Sequence, residues 1–252
     1  MDKKKTDLYG LVGFPLGHSF SKPYFTDKFS RQNIPAEYRN FEIENIADIR
    51  DIIATNPQLR GLNVTIPHKE MVIPFLDSLS EDAAKIGAVN VISIQRKDEK
   101  IHLTGYNTDY IGFRYSLSQL IHPETHPKAL ILGTGGASKA VAYALSSLHI
   151  EYTLVSHSGK KNAINYSELT TDILQAHRII INTTPLGTFP HTETFPPIPY
   201  SLLTLQHLAY DLVYNPAETM FLQKAKAQGA VIKNGEEMLQ RQAEAAWDIW
   251  NR

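Results

Sequence analysis

The chain contains no cysteine. A disulfide framework, a thiolate nucleophile and Cys-ligated zinc or iron–sulfur centres are therefore excluded. It also has no excess of either charge: 25 Lys and Arg stand against 26 Asp and Glu, a formal net charge of −1. That balance gives the whole chain no pull toward nucleic acid or an anionic membrane. Long apolar runs are missing too, and nothing approaches the roughly 20 residues that a membrane span needs. The first residues, MDKKKTDLYG, pass from basic side chains straight to polar Thr6 and Asp7, without the apolar stretch of a signal peptide. These absences lead us to expect a cytoplasmic protein with no nucleic-acid or membrane partner. Among the ten histidines, His122 and His126 lie four apart, but each precedes a proline, which disfavours a shared helical face. No metal site is expected.

What is present is enough for a packed core and a polar surface: 42% apolar and 20% charged residues. A chain of 252 residues suits one large domain or two modest ones. The first part alternates short strands and helices. LYGLVG (8–13) reads as a strand and is followed by a helix from Ser21 to about Asn33, with Ser21 placed as its N-cap. EYRNFEI (37–43) and GLNVTI (61–66) read as further strands. AVNVISIQ (88–95) and KIHLTG (100–105) flank a turn at Lys97-Asp98-Glu99 and predict a hairpin. The character changes after His122–Pro127. Apolar ALIL (129–132), TLVS (153–156), RIIINTT (178–184), HLAYDLVY (207–214) and AVIKN (230–234) alternate with helical stretches, and a last helix begins at 236. Strands alternating with helices imply a parallel sheet covered on both faces. The segment 185–200 carries five prolines and is irregular; it reads either as a functional loop or as a surface insertion.

Gly133-Thr-Gly135-Gly136-Ala137-Ser138 stands between an apolar strand and a helix. In that context glycines allow a tight turn and close approach of a pyrophosphate to backbone N–H groups, at the positive end of a helix. The run departs from GxGxxG, because Ala137 or Ser138 takes the third small position. At the end of the next strand a dinucleotide site selective for NAD places a carboxylate. Here the sequence reads Ser156-His157-Ser158-Gly159-Lys160-Lys161, hydroxyls and cations that suit a 2′-phosphate instead. Other polar clusters lie in the first part of the chain. Ser19 and Ser21 can hydrogen-bond a carboxylate. Thr65 ends a strand, and Lys69 is expected in the first turn of a helix after Pro67, against the helix dipole. Asn90 interrupts an apolar run, where it needs a partner or a ligand. Asp109 follows where the first part hands over to the second, and could pair with Lys69. Each of these also fits a plain surface lysine, an Asx-turn or a satisfied buried amide.

The clusters GHSFSKP, NVTIPHK, GAVN, GYNTD, GTGGAS, INTTPLG, YDLVYNP and NGEEMLQRQA occur in this order along nearly the whole chain. In order and approximate spacing they resemble shikimate dehydrogenase. The resemblance implies an α/β protein of two domains: a smaller substrate domain, 1–108 completed by 236–252, and a Rossmann-like NADP-binding domain, 109–235, with a cleft between them. It implies that Ser19 and Ser21 bind the substrate carboxylate, that Thr65, Asn90 and Gln242 hold ring hydroxyls, and that Lys69 and Asp109 form the catalytic pair. Tyr214 and Gly235 would lie near substrate and nicotinamide. Gly133, Gly135, Gly136 and Ala137 would cradle the pyrophosphate, with Ser156, His157, Lys161, Thr183 and Leu212 completing the cofactor site. Many members carry Asn-Arg-Thr…Arg after the second Rossmann strand; here His157 and Lys161 stand where those arginines would. A modest preference for NADP(H) over NAD is therefore expected, since Lys is a poorer planar binder than Arg. The substrate would be shikimate and 3-dehydroshikimate, and the protein a monomer or a homodimer. Three rivals remain: an NAD-linked quinate/shikimate dehydrogenase, a non-catalytic dinucleotide sensor of the same fold, and a dehydrogenase acting on folate carbons.

Overall fold

In the computed structural model the described residues are 6–17, 19–98, 100–122, 125–157 and 162–252. They form two compact units: residues up to Thr108 together with Ala243–Arg252, and Asp109–Gln242. The division falls inside the last helix, so Glu236–Gln242 go with the second unit rather than the first.

The first unit holds β1 (Asp7–Gly13), α1 (Ser21–Arg31), β2 (Ala36–Glu42), α2 (Ile49–Thr55), β3 (Leu59–Val64), β4 (Ser78–Leu79), α3 (Glu81–Ile86), β5 (Val91–Lys97) and β6 (Lys100–Tyr106). Its sheet has the order β2-β1-β3-β5-β6-β4. β1 pairs parallel with both β2 and β3, whereas β5 pairs antiparallel with β3 and β6. The expected hairpin is present, with Lys97 opposite Lys100 and Asp98 at φ 48°. The end of the last helix closes one face. Trp250 donates its indole N–H to the Ile92 carbonyl at 3.0 Å, and a Cβ on Gly61 would lie 2.2 Å from the same indole nitrogen. Gly61 therefore leaves the space that the indole fills. Around Trp250 pack Tyr9, Phe25, Phe29 and Tyr38, and truncating such a buried aromatic costs about 3–5 kcal/mol.

The second unit holds α4 (Asp109–Ser118), β7 (Lys128–Leu132), α5 (Gly136–Ser147), β8 (Glu151–Val155), β9 (Ala163–Ile164), α6 (Thr171–Ala176), β10 (Ile179–Asn182), β11 (Leu208–Asp211), α7 (Met220–Lys226), β12 (Val231–Lys233) and the start of α8 (Glu236–Trp250). All pairings in its sheet are parallel, and the order is β12-β11-β10-β7-β8-β9. Counted within the unit this is 6-5-4-1-2-3, the doubly wound order of dinucleotide-binding sheets. The strands are apolar on both faces, as burial under helices on both sides demands: Ala129–Leu132 and Ile179–Ile181 are fully buried. The strand order reverses between β7 and β10, and the crevice at such a switch point is where ligands bind.

Candidate active site

In the first unit, the polar clusters gather at the carboxyl ends of β1 and β3. Gly13 closes β1, and a Cβ there would sit 2.4 Å from Thr65 Cγ2. The absent side chain lets the two strand ends touch. Thr65 lies one residue past β3 and donates its amide to the Val12 carbonyl at 2.9 Å. Ser19 and Ser21 follow β1, with the Ser21 amide donating to Ser19 Oγ at 3.3 Å. Ser21 is not the N-cap of α1. Phe20, already in helical conformation (φ −64°, ψ −39°), occupies that position without a side-chain cap. Because the helical turn starts one residue early, the Ser21 hydroxyl is not held at the helix end. It lies near the buried Tyr38 phenol, whose pKa burial pushes up and Ser21 draws back down. Tyr38 in turn donates to Asn63 Oδ1 at 2.7 Å, and Asn63 Nδ2 reaches the Asn90 carbonyl at 3.4 Å.

Lys69 does not stand in a helix either. Residues 66–72 form consecutive turns, followed by a short 3-10 segment at Ile73–Phe75. Pro74 lacks the N–H that a continuing helix needs and its ring crowds the preceding turn, so the dipole conflict expected at Lys69 does not arise. The turn is pinned from beneath. His68 is fully buried, its Nε2 bonded to the Ile43 carbonyl at 2.7 Å, and the Lys69 carbonyl accepts the Val89 amide at 2.8 Å. Next along the chain, Asn90 is buried and bonded within the protein. Its Oδ1 accepts the Thr108 amide at 2.6 Å, and its Nδ2 donates to Thr108 Oγ1 at 3.0 Å. The Asn90 amide thus fixes the residue directly before Asp109, and Asp109 is buried as the first residue of α4.

In the second unit, β7 runs into the glycine loop. Gly133 has φ 108°, and a Cβ there would sit 2.8 Å from Thr183 Oγ1. Gly135 is the N-cap of α5, without a side-chain cap, and nothing lies within 4 Å of where its Cβ would be. Gly136 and Ala137, both half-buried, open the helix, and Ser138 turns inward to donate to the Gly135 carbonyl at 2.6 Å. The result is open backbone at the N-terminus of a helix of 12 residues, which fits a pyrophosphate. Thr183 sits after β10, its amide and hydroxyl both donating to the Leu132 carbonyl, at 3.0 and 2.7 Å. Ser156 is buried just past β8, and exposed His157 lies on the Tyr166 ring with centroids 4.4 Å apart. Lys161 lies outside the described residues.

Leu212 and Gly235 meet backbone to backbone: a Cβ on Gly235 would sit 2.1 Å from the Leu212 carbonyl oxygen. Tyr214 is half-buried, and burial raises its phenol pKa. Gln242 is buried on α8 and donates to the Leu239 carbonyl at 3.0 Å.

A sequence model of the shikimate dehydrogenase substrate binding domain matches residues 11–92. The shikimate dehydrogenase (NADP(+)) of Methanosphaera stadtmanae is 36% identical over 98% of this chain and 92% of its own length. The chain belongs to the shikimate dehydrogenase family. The crystal structure of shikimate dehydrogenase from Aquifex aeolicus is 34% identical, with a TM-score of 0.85 over 100% of this chain and 94% of that one. The Thermus thermophilus family member, solved with NADP(H) and shikimate, is 28% identical with a TM-score of 0.83, covering 97% and 93% of the two chains. The expected α/β, two-domain class is thus borne out.

Two residues escaped the sequence reading. Asp211 ends β11 fully buried and accepts hydrogen bonds from Asn182 Nδ2 at 2.9 Å, the Val213 amide at 3.0 Å and Thr219 Oγ1 at 2.5 Å. It ties the loop after β10 to the loop after β11, and burial pushes its pKa up to about 6 against the pull of those donors. A carboxylate inside the apolar run LAYDLV was the available signal. Tyr38 gave none, since it fits the alternation of an ordinary strand.

Proposed function

We propose that this chain catalyses the reversible, NADPH-dependent reduction of 3-dehydroshikimate to shikimate in the cytoplasm. The observation that carries the reading is the pinned turn after β3. It presents Thr65 and Lys69 beside Asn90, whose side chain fixes the residue before Asp109. A bound nicotinamide cofactor would supply the hydride. Gly133, Gly135, Gly136 and Ala137 would hold its pyrophosphate on the N-terminus of α5, and Thr183, Leu212, Tyr214 and Gly235 would border its nicotinamide half. Reducing a ketone also needs a proton at oxygen. Lys69 donates that proton and stabilises the developing alkoxide, with Asp109 as its partner. In the reverse direction Lys69 takes the proton back. Ser19 and Ser21 receive the substrate carboxylate, and Thr65, Asn90 and Gln242 its hydroxyls.

Cofactor choice rests on Ser156 and His157. His157 stacked on Tyr166 offers an aromatic face to an adenine but no guanidinium fork for a 2′-phosphate. We expect NADP to be preferred only modestly. The test is absorbance at the reduced-nicotinamide band with shikimate and NADP, then with NAD, then with quinate in place of shikimate. Fast reduction with shikimate and NADP supports the reading. Turnover only with NAD or quinate moves the protein to the rival branch, and ligand binding without any turnover overturns the enzymatic reading.

A further inference from the structure

The first unit has a cavity of about 350 Å³ at the end of its sheet opposite the loops that carry Ser19, Thr65 and Lys69. Asp7 opens β1 there, Arg60 stands at the start of β3, and Ser93 and Arg96 come from antiparallel β5. The buried rings of Tyr9 and Trp250, with centroids 4.9 Å apart, form one wall.

Among the side chains of its lining, three guanidiniums, those of Arg60, Arg96 and Arg252, stand against one carboxylate, that of Asp7. Arg60 Nε donates to Asp7 Oδ1 at 2.9 Å, which accounts for the one carboxylate side chain in the lining. Among the described residues Arg96 has no such partner. It uses Nη2 on two neutral carbonyls at the end of α2, Ile53 at 2.8 Å and Asn56 at 3.3 Å. Its Nε is buried and makes no hydrogen bond among the described residues. Burial and the neighbouring Arg60 charge both weigh against the Arg96 cation. A guanidinium does not relieve such a conflict by losing its proton. A buried donor left unmade carries its full desolvation penalty. An anion placed between Arg60 and Arg96 would offset the excess positive charge through charge-assisted hydrogen bonds to the guanidinium groups.

We propose that this cavity is a binding site for a small oxyanion, a phosphate or carboxylate group, held by Arg60 and Arg96 with the Tyr9 and Ser93 hydroxyls beside them. The cavity has room beyond a bare oxyanion, in the range of small-molecule sites. The ligand is therefore either the free ion or the anionic end of a small organic molecule. Either would bind the end of the sheet remote from Ser19, Thr65 and Lys69.

The experiment is a thermal melt of the full chain with saturating NADP present, so that the cofactor's own phosphate site is filled. Inorganic phosphate, citrate and a sugar phosphate are titrated in turn, each against sodium chloride at matched ionic strength. A saturable rise of roughly 5–10 °C at a hundredfold excess over Kd is expected for at least one of the three. Which of them saturates at the lowest concentration distinguishes the free ion from the organic sources. Arg96→Met and Arg60→Gln should each abolish the rise while leaving kcat and KM for shikimate at wild-type values. No saturable rise above the chloride control with any of the three anions overturns the proposal. So does a rise that survives in Arg60→Gln/Arg96→Met, which would place the anion elsewhere.

Discussion

The two units prepare for their ligands in opposite ways. The first presents side chains locked by other side chains: Tyr38 on Asn63, and Asn90 on Thr108. The second presents backbone cleared of side chains: Gly133 against Thr183, Gly235 against Leu212, and open space at Gly135. The difference follows from what each must recognise. A small polyhydroxylated ring is told from its relatives by hydrogen bonds of fixed direction, which need side chains with their rotamers already set. A pyrophosphate is recognised by N–H groups at a helix end, and any side chain there is an obstruction.

The largest expected effect on this comparison comes from Lys69→Ala. It should lower kcat roughly 10²–10⁴-fold while leaving NADP binding intact by equilibrium titration. A change confined to KM would reduce Lys69 to a binding residue. Next in size is Asp211, a buried carboxyl in the second unit. Its carboxyl is raised from 3.8 to about 6, so the folded state favours the protonated form. The stability it contributes is present below about pH 4 and lost as pH rises through 6. A shift of that size is worth about 3 kcal/mol. Asp211→Asn should remove this dependence, so that denaturant midpoints measured at pH 4 and pH 7 draw closer together than in wild type. If the two proteins change in parallel between those values, the buried carboxylate does not titrate as described.

The glycine loop allows a sharper division. Gly133→Ala forces a residue with a side chain into φ 108° against Thr183, and should cost about 1–2 kcal/mol in chemical denaturation. Gly135→Ala meets nothing within 4 Å, so it should fold as well as wild type yet raise KM for NADP, roughly tenfold, leaving KM for shikimate unchanged. Equal loss of stability in both would mean that the loop serves packing alone. The smallest effect belongs to the first unit. Tyr38→Phe keeps the ring, stacked on Phe25 at 4.8 Å, and removes the bond to Asn63. It should cost about 1 kcal/mol of stability and change KM for shikimate several-fold, with kcat near wild type. An unchanged KM would mean that Ser21 is set without it.

Much of this molecule was legible in the sequence because its signals are local. An apolar run followed by Gly133-Thr-Gly135 needs only neighbours in the chain to mean strand, loop and helix. Eight ordered motifs needed no structure to suggest a family. Local rules failed where a distant or later residue overrode them. Ser21 has the chemistry of an N-cap, yet the backbone of Phe20 starts the helix first. Pro67-His68-Lys69 reads as a helix start, yet Pro74 keeps the stretch to turns. Asp211 and Tyr38 each acquire part of their role from a partner far along the chain, Asn182 for one and Asn63 for the other.

The sequence by itself determined the α/β class, the place of the glycine loop and the residue types available for binding and proton transfer, because periodicity, glycine and side-chain chemistry act over a few residues. Only the tertiary structure decided the strand order that puts the loops after β7 and β10 together, the Asn90–Thr108 lock beside Lys69 and the unbalanced pair of Arg60 and Arg96. Each of these depends on which surfaces meet, and burial then decides which hydrogen bonds and charges must be satisfied there.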